Sequence, residues 1–267
     1  MLGSDIVREC RQRGLSVDGF DLPEFDITRA EQLEKIVRTT GTIINCAAYT
    51  NVDGAQSESE LAYRVNAEAV GRLGTLAKQA GAWVLHISTD FVFDGTLDRP
   101  YKETDEPNPI NEYGRTKLAG EQLLGESGCR HCVIRVEWTY GKAGNNFVKK
   151  LIERAKKSKS INVVADQIGS PTATTEAAST ICDLLAVEPE GLFHFASAGY
   201  VSRYEMAEFI VERAKLDVKV CPCKTSDYPS PAARPLNSRF DCSKIQALLA
   251  GPIKRWEEPL ERFLRQL

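Results

Sequence analysis

Tyr113 and Lys117 stand four residues apart in Tyr113-Gly114-Arg115-Thr116-Lys117. On a helix that spacing puts both side chains on one face, a turn apart. An ammonium beside a phenol favours the phenolate, so Lys117 is expected to lower the Tyr113 pKa. Such a tyrosine exchanges a proton with a carbonyl or alcohol oxygen near neutral pH. Alone, the pair is a weak signal, because most chance copies are solvated helix faces. A second feature sharpens it. Ser88-Thr89-Asp90 closes the apolar run that begins at Trp83 and reads as a buried strand. Hydroxyls at the C-terminal end of a parallel strand face the ligand crevice. Thr89 is therefore placed to hold a substrate oxygen beside Tyr113, against the plainer reading that it caps a turn.

The elements that must position these groups alternate between strand-like and helix-like, which predicts an α/β fold with a doubly wound parallel sheet. Ser4–Arg13 reads as a helix, Leu15–Phe20 as a short strand, and Thr42–Ala47 as a buried strand. Thr28 with Glu31 forms a capping-box pattern ahead of a helix bearing Leu33, Ile36 and Val37. Long helices are predicted over 58–79 and 111–124, with a strand at 133–136. The second half is less regular. Helices at 147–158, 175–185 and 204–215 surround a strand at 192–196, and Pro229, Pro231 and Pro235 stiffen the segment 226–237. The shift near Tyr140-Gly141 divides a Rossmann-like cofactor half, 1–140, from a mainly substrate-binding half, 141–267, parts of which pack back on the first.

A nucleotide-binding half normally opens with a strand, a glycine-rich turn and a helix. This sequence opens inside that unit: Gly3 takes the place of the last glycine of the turn, and Ser4 starts the helix. The first half is thus expected to be shortened at its start. Asp21, just after the second predicted strand, falls where an acidic residue binds ribose hydroxyls, and a carboxylate there disfavours a 2′-phosphate.

Composition narrows the classes. The 267 residues carry 34 Lys and Arg against 37 Asp and Glu, a net charge of −3, which makes no global case for nucleic acid. No apolar run reaches the roughly 18 residues of a membrane span. No secretory signal pattern opens the chain, so a cytoplasmic protein is expected. Of the eight cysteines, Cys129/Cys132 and Cys221/Cys223 form close pairs that could supply four thiolates. Cys132 leads straight into a strand, however, which is not a zinc knuckle, and no metal is expected.

Several stretches together resemble the extended short-chain dehydrogenase/reductase family and, within it, the dTDP-4-dehydrorhamnose reductases. They are 45–53, 88–95, Pro107-Asn108-Pro109 with 113–121, Gly144-Asn145-Asn146-Phe147-Val148, Asp166–Thr172 and Arg234–Ser238. The similarity runs over essentially the whole chain, and the last three stretches are its most specific part. The resemblance implies reduction of the 4-keto group of a dTDP-4-dehydro-L-rhamnose substrate by NADH or NADPH. It implies Tyr113 as proton donor, Lys117 as its partner and a ribose ligand, and Thr89 on the reacting oxygen. It implies that Gly3, Asp21, Asp26, Ala47, Ala48, Tyr49 and Ser88 join Tyr113 and Lys117 along the cofactor. Val52, Asp53, Thr89, Trp138, Asn145, Asn146, Gln167 and Arg234 are implied to line the sugar nucleotide, with Trp138 packing on the sugar and Arg234 on the diphosphate. Glu137 departs from the small residue of that pattern and is read as bearing on the sugar. The implied partner is the dTDP-sugar, with self-association into a homodimer left open. Two alternatives remain at this stage: a non-catalytic binding subunit of the same fold, and a reductase of another nucleotide-linked 4-keto-6-deoxy sugar.

Overall fold

A computed structural model describes all 267 residues. Its strands are β1 (Thr42–Asn45), β2 (Trp83–Thr89), β3 (His131–Val136), β4 (Thr139–Tyr140) and β5 (Ser160–Val164), then β6 (Ile168–Gly169), β7 (Thr172–Ala173), β8 (Gly191–Phe195), β9 (Val201–Ser202) and β10 (Lys219–Cys223). The α-helices are α1 (Leu2–Gln12), α2 (Ala30–Val37), α3 (Ser59–Tyr63), α4 (Ala69–Ala80) and α5 (Glu112–Glu126), then α6 (Phe147–Ala155), α7 (Thr174–Leu184), α8 (Arg203–Arg213), α9 (Ser243–Gln246) and α10 (Glu257–Leu264).

The main sheet is parallel throughout, in the order β1-β2-β3-β8. Its strands are apolar on both faces because helices cover both. On one face Ile6 and Cys10 of α1 and Ala177, Ala178 and Ile181 of α7 pack over Trp83, Leu85, Cys132 and Ile134. On the other, Leu33 and Val37 of α2, Leu73 and Ala77 of α4 and Leu124 of α5 cover Val84 and Val133. Truncating one of these fully buried aliphatic side chains to alanine costs about 2–5 kcal/mol. β8 and α7 thus join the first half's sheet although they follow residue 141. A second core forms from α6, α8 and α10 around the parallel pair β5–β10, with Met206, Ile210, Trp256 and Leu260 inside.

Three local readings are corrected. Leu15–Phe20 is not a strand but irregular chain, because no strand lies beside it to form a ladder, and Leu15 and Phe20 are exposed. Thr28 forms no capping box. The Asp26 carboxylate instead accepts from the Thr28 amide at 2.9 Å and its hydroxyl at 2.7 Å, and this turn delays the helix to Ala30. The helix expected over 58–79 is broken by a π-helical turn at Arg64–Glu68, which carries the fully buried Asn66. Asn66 takes up its position by accepting from the Tyr49 amide at 2.8 Å and donating to Thr116 Oγ1 at 3.0 Å. The wide turn therefore clamps the loop after β1 to α5, and π turns of this kind recur at functional sites.

Candidate active site

α5 is fixed at its start by Asn111, whose side chain accepts from the Gly114 amide at 2.8 Å and donates to the Ala233 carbonyl at 2.8 Å. The helix then lies so close to the end of β2 that a Cβ on Gly114 would collide with the Phe91 carbonyl oxygen. This close approach carries Tyr113 and Lys117 to the C-terminal end of β2. Tyr113 also packs edge-to-face on Phe91, with ring centroids 5.6 Å apart.

Lys117 is 1% exposed. Its ammonium donates to the Ile87 carbonyl at 2.6 Å and lies 3.1 Å from His86 Nε2. The other ring nitrogen of His86 lies 3.0 Å from Asn45 Nδ2, so a buried polar chain runs from β1 through β2 to α5. Burial lowers the Lys117 pKa to about 8, with Glu121 and Cys46 pulling weakly the other way. Burial, aided by Lys117, holds His86 well below its ordinary value, so it is neutral at physiological pH.

The phenol does not behave as its neighbour's charge suggests. Burial pushes Tyr113 up to about 12, against the pull of the Thr89 hydroxyl and with help from Asp90. Desolvation of the phenolate is the dominant cause, and Lys117, turned to Ile87 and His86, is not among the groups that shift it. The expected lowering of the Tyr113 pKa is therefore reversed, and the tyrosine stays protonated at neutral pH. Thr89, also buried, donates to Asp90 Oδ1 at 3.1 Å and accepts from the Phe91 amide at 3.2 Å. Burial raises Asp90 to about 6, opposed by its bonds from Ser238 and Thr89.

Beyond Phe91 opens a cavity of about 200 Å³, lined by Phe91, Trp138, Phe147, Gln167, Arg203 and Arg234 among others. Trp138 adopts φ 44°, a left-handed conformation that strains a residue with a Cβ and concentrates at functional sites. A larger cleft of about 560 Å³ lies on the outer flank of α5, between Tyr63, Arg64, Glu112 and Arg115, and neither Tyr113 nor Lys117 lines it.

The other expected site residues fall into three groups. Gly3 lies in the first turn of α1, where a Cβ would stand 3.5 Å from that of Cys46; the spot is close-packed but does not demand glycine. Ala47, Ala48 and Tyr49 follow β1, and the Tyr49 hydroxyl donates to Glu58. Ser88 donates to Glu121, which is itself held by Arg135 at 2.6 Å in a buried ion pair. Asp21 is exposed on the irregular segment before α2 and accepts from the next amide, Leu22, at 2.9 Å, while Asp26 belongs to the turn with Thr28. No hydrogen bond joins either to the group around Lys117.

On the substrate side, Val52 and Asp53 precede a short 3₁₀ turn, and Asp53 pairs with Arg234 through two contacts of 2.7 and 2.8 Å. This bond lowers the Asp53 pKa. Gln167 donates to Thr225 at 3.1 Å and borders the cavity. Asn145 is exposed, whereas Asn146 is buried, caps α6 by accepting from Lys149 at 3.2 Å and donates to the Gly141 carbonyl at 2.8 Å. Glu137 does not reach the cavity. It is fully buried and accepts from the amides of Ser170 and Phe240 at 2.8 and 3.3 Å, joining the end of β3 to two loops. Those amides would otherwise be unsatisfied, so its role here is structural.

Sequence reasoning missed two residues. His86 gave no signal, as one polar residue within an apolar strand. Arg203 resembled any charged residue on an amphipathic helix. The eight cysteines are free, and no three metal-ligating side chains come together.

A parallel sheet covered on both faces, with tyrosine, lysine and threonine at the strand ends, defines a Rossmann-like oxidoreductase of the short-chain dehydrogenase type. A UDP-glucose 4-epimerase from Thermus thermophilus shares that fold at TM-score 0.83 and 20% identity, covering 99% of this chain and 95% of its own. Closer relatives narrow the class. The family model described as RmlD substrate binding domain matches residues 1–267. The dTDP-4-dehydrorhamnose reductase of Salmonella typhimurium is 38% identical over 238 residues, covering 84% of this chain and 79% of that protein. The crystal structure of the Bacillus anthracis dTDP-4-dehydrorhamnose reductase in complex with NADP superposes at TM-score 0.95 with 37% identity, over 100% of this chain and 95% of that one. This chain belongs to the dTDP-4-dehydrorhamnose reductase family.

Proposed function

We propose that the chain reduces the 4-keto group of dTDP-4-dehydro-β-L-rhamnose to the alcohol of dTDP-L-rhamnose, using NADH or NADPH. The observation that carries the chemistry is Tyr113, a partly buried phenol still protonated at neutral pH, beside the Thr89 hydroxyl and packed on Phe91, which lines the cavity. The donor set fits a nicotinamide nucleotide. Lys117 and Tyr113 offer donors to ribose hydroxyls, and Ala47 and Ala48 leave the loop after β1 without bulky side chains. When bound, the cofactor supplies the hydride.

The chain's own residues supply the rest. Thr89 orients the keto oxygen toward the phenol. As the carbonyl carbon gains a hydride, its oxygen takes the Tyr113 proton, so ketone, hydride and proton sum to the alcohol. An alkoxide is a stronger base than a phenolate, so this transfer runs downhill even from a phenol near 12. The raised pKa therefore suits reduction; alcohol oxidation would require the phenolate. Lys117, held by Ile87 and His86 one turn further along the same helix, is left to hold the cofactor's ribose.

Residues 1–140 serve the cofactor and 141–267 mainly the substrate, with β8 and α7 returned to the sheet. No helix is long and apolar enough to cross a membrane, and eight free cysteines support a reducing, cytoplasmic setting. The test is consumption of NADPH and NADH by the purified chain with dTDP-4-dehydrorhamnose. Substrate-dependent oxidation that yields dTDP-rhamnose supports the reading. Oxidation absent with both cofactors, from a folded protein, overturns it.

A further inference from the structure

Two cations line the cavity beyond Phe91, and they are in opposite states. Arg234 is committed: both terminal nitrogens bond Asp53, and Nη1 also donates to Ser230 at 2.9 Å. The Arg203 guanidinium makes no hydrogen bond and no ion pair; only its backbone amide is engaged, with the Gln167 carbonyl at 3.1 Å. Nearby Asp90 and Glu137 act on it through space, but their oxygens are taken by Ser238, Thr89 and the amides of Ser170 and Phe240. Five N–H donors of a rigid planar fork are therefore free at a cavity wall.

Arg203 is nonetheless held in place. Its guanidinium carbon lies 3.5 Å from the Trp138 ring centroid and 4.8 Å from that of Phe147. Gly169 covers Trp138 as well, since a Cβ there would stand 2.7 Å from the ring. Trp138, on its strained backbone and with its ring bordering the cavity, thus seats a cation. Stacking orders the guanidinium without using a single donor, which readies it for an anion. A volume of about 200 Å³ falls below the roughly 300–1,000 Å³ of whole-ligand sites, so this compartment takes one part of a larger substrate.

We infer that Arg203, seated on Trp138, is the residue that binds the diphosphate of the nucleotide-linked sugar. Arg234, already neutralised by Asp53, then fastens the loop at 230–234 across the entrance. This inference rests on the sugar-nucleotide reading above, and the experiment separates the two. Calorimetry compares thymidine, dTMP, dTDP and NADPH on the wild type, Arg203→Met and Arg203→Lys. The wild type should bind dTDP more tightly than thymidine. Arg203→Met should weaken dTDP at least tenfold and leave thymidine and NADPH within twofold. Arg203→Lys keeps the charge but not the fork; it should weaken dTDP several-fold, and it carries the test if the methionine variant does not fold. Equal losses for thymidine and dTDP, or no loss for either, overturn the assignment and leave Arg203 a structural stack. Wild-type binding of dTDP without reduction of the keto sugar would overturn the function while preserving the role of Arg203.

Discussion

The end of the sheet around Tyr113 and the cavity around Arg203 are built by opposite rules. At the sheet end, Lys117, Ser88, Thr89 and Asp90 all have protein partners, and helix α5 is pressed onto the chain through Gly114. In the cavity, the planar groups stack, Trp138 is strained, and one guanidinium keeps all its donors. A reacting centre gains from fixed geometry and exclusion of water, because the proton must move along one path. A recognition compartment gains from unused hydrogen-bonding capacity, because its remaining partner is the ligand. The first region resists change in its surroundings; the second yields mainly in affinity.

The largest expected effect removes the phenol. Tyr113→Phe should lower kcat by about 10²–10⁴-fold. Calorimetric affinity for NADPH and dTDP should hold within about twofold. Retained turnover would dissolve the contrast, since the sheet end would then not be the reacting centre.

Lys117→Ala is next and reads the buried cation in two ways. It should weaken cofactor binding and slow turnover together, and a change in neither would remove Lys117 from the site. It should also alter the pH dependence of stability. Native Lys117 titrates at about 8, below its ordinary 10.5, so between those values the unfolded chain binds more protons. This contribution is fully present above about pH 10.5 and is lost as pH falls through about 8, a swing of about 3 kcal/mol. The groups facing the ammonium are Glu121, Cys46 and His86. Urea titrations of both proteins from pH 7.5 to 10.5 check the sign. The wild type should gain on Lys117→Ala as pH rises, and an unchanging difference would mean that the lysine is not desolvated.

Gly114→Ala sharpens the contrast by testing the close approach alone. Overpacking against the Phe91 carbonyl should cost about 1–3 kcal/mol. At about 2–4 °C per kcal/mol for a chain near this size, Tm should fall several degrees. Turnover should fall with it, because Tyr113 moves; an unshifted Tm would show that the helix rides free of the loop. The smallest effect belongs to the partly exposed Asp53–Arg234 pair. A double-mutant cycle with alanine should give a coupling of only about 0.2–1 kcal/mol. A coupling well above that range would place this pair among the rigid elements.

Much of this was legible in the residues, and the failures have identifiable reasons. Apolar runs such as Trp83–Ile87 predicted buried parallel strands because both faces had to be covered. Leu15–Phe20, with Leu15, Val17 and Phe20 set among polar residues, also read as a short strand, but a strand needs a neighbour, which no local pattern reports. Thr28 and Glu31 had capping-box spacing, yet the Asp26 carboxylate competed for the same amide. Glu137 stood next to Trp138 in sequence, but successive residues point apart, and it turned into the protein while Trp138 faced the cavity.

By itself, then, the sequence determined an α/β sheet, a tyrosine and lysine one turn apart on a helix, and a threonine at the end of a strand. Those features depend on spacing and on which side chains must leave water. Only the tertiary structure decided that the Tyr113 pKa rises, that His86 sits behind Lys117, and that Arg203 rather than Arg234 is the free cation. These properties follow from what surrounds a charge in space, and residues as distant along the chain as Trp138 and Arg203 become neighbours only after folding.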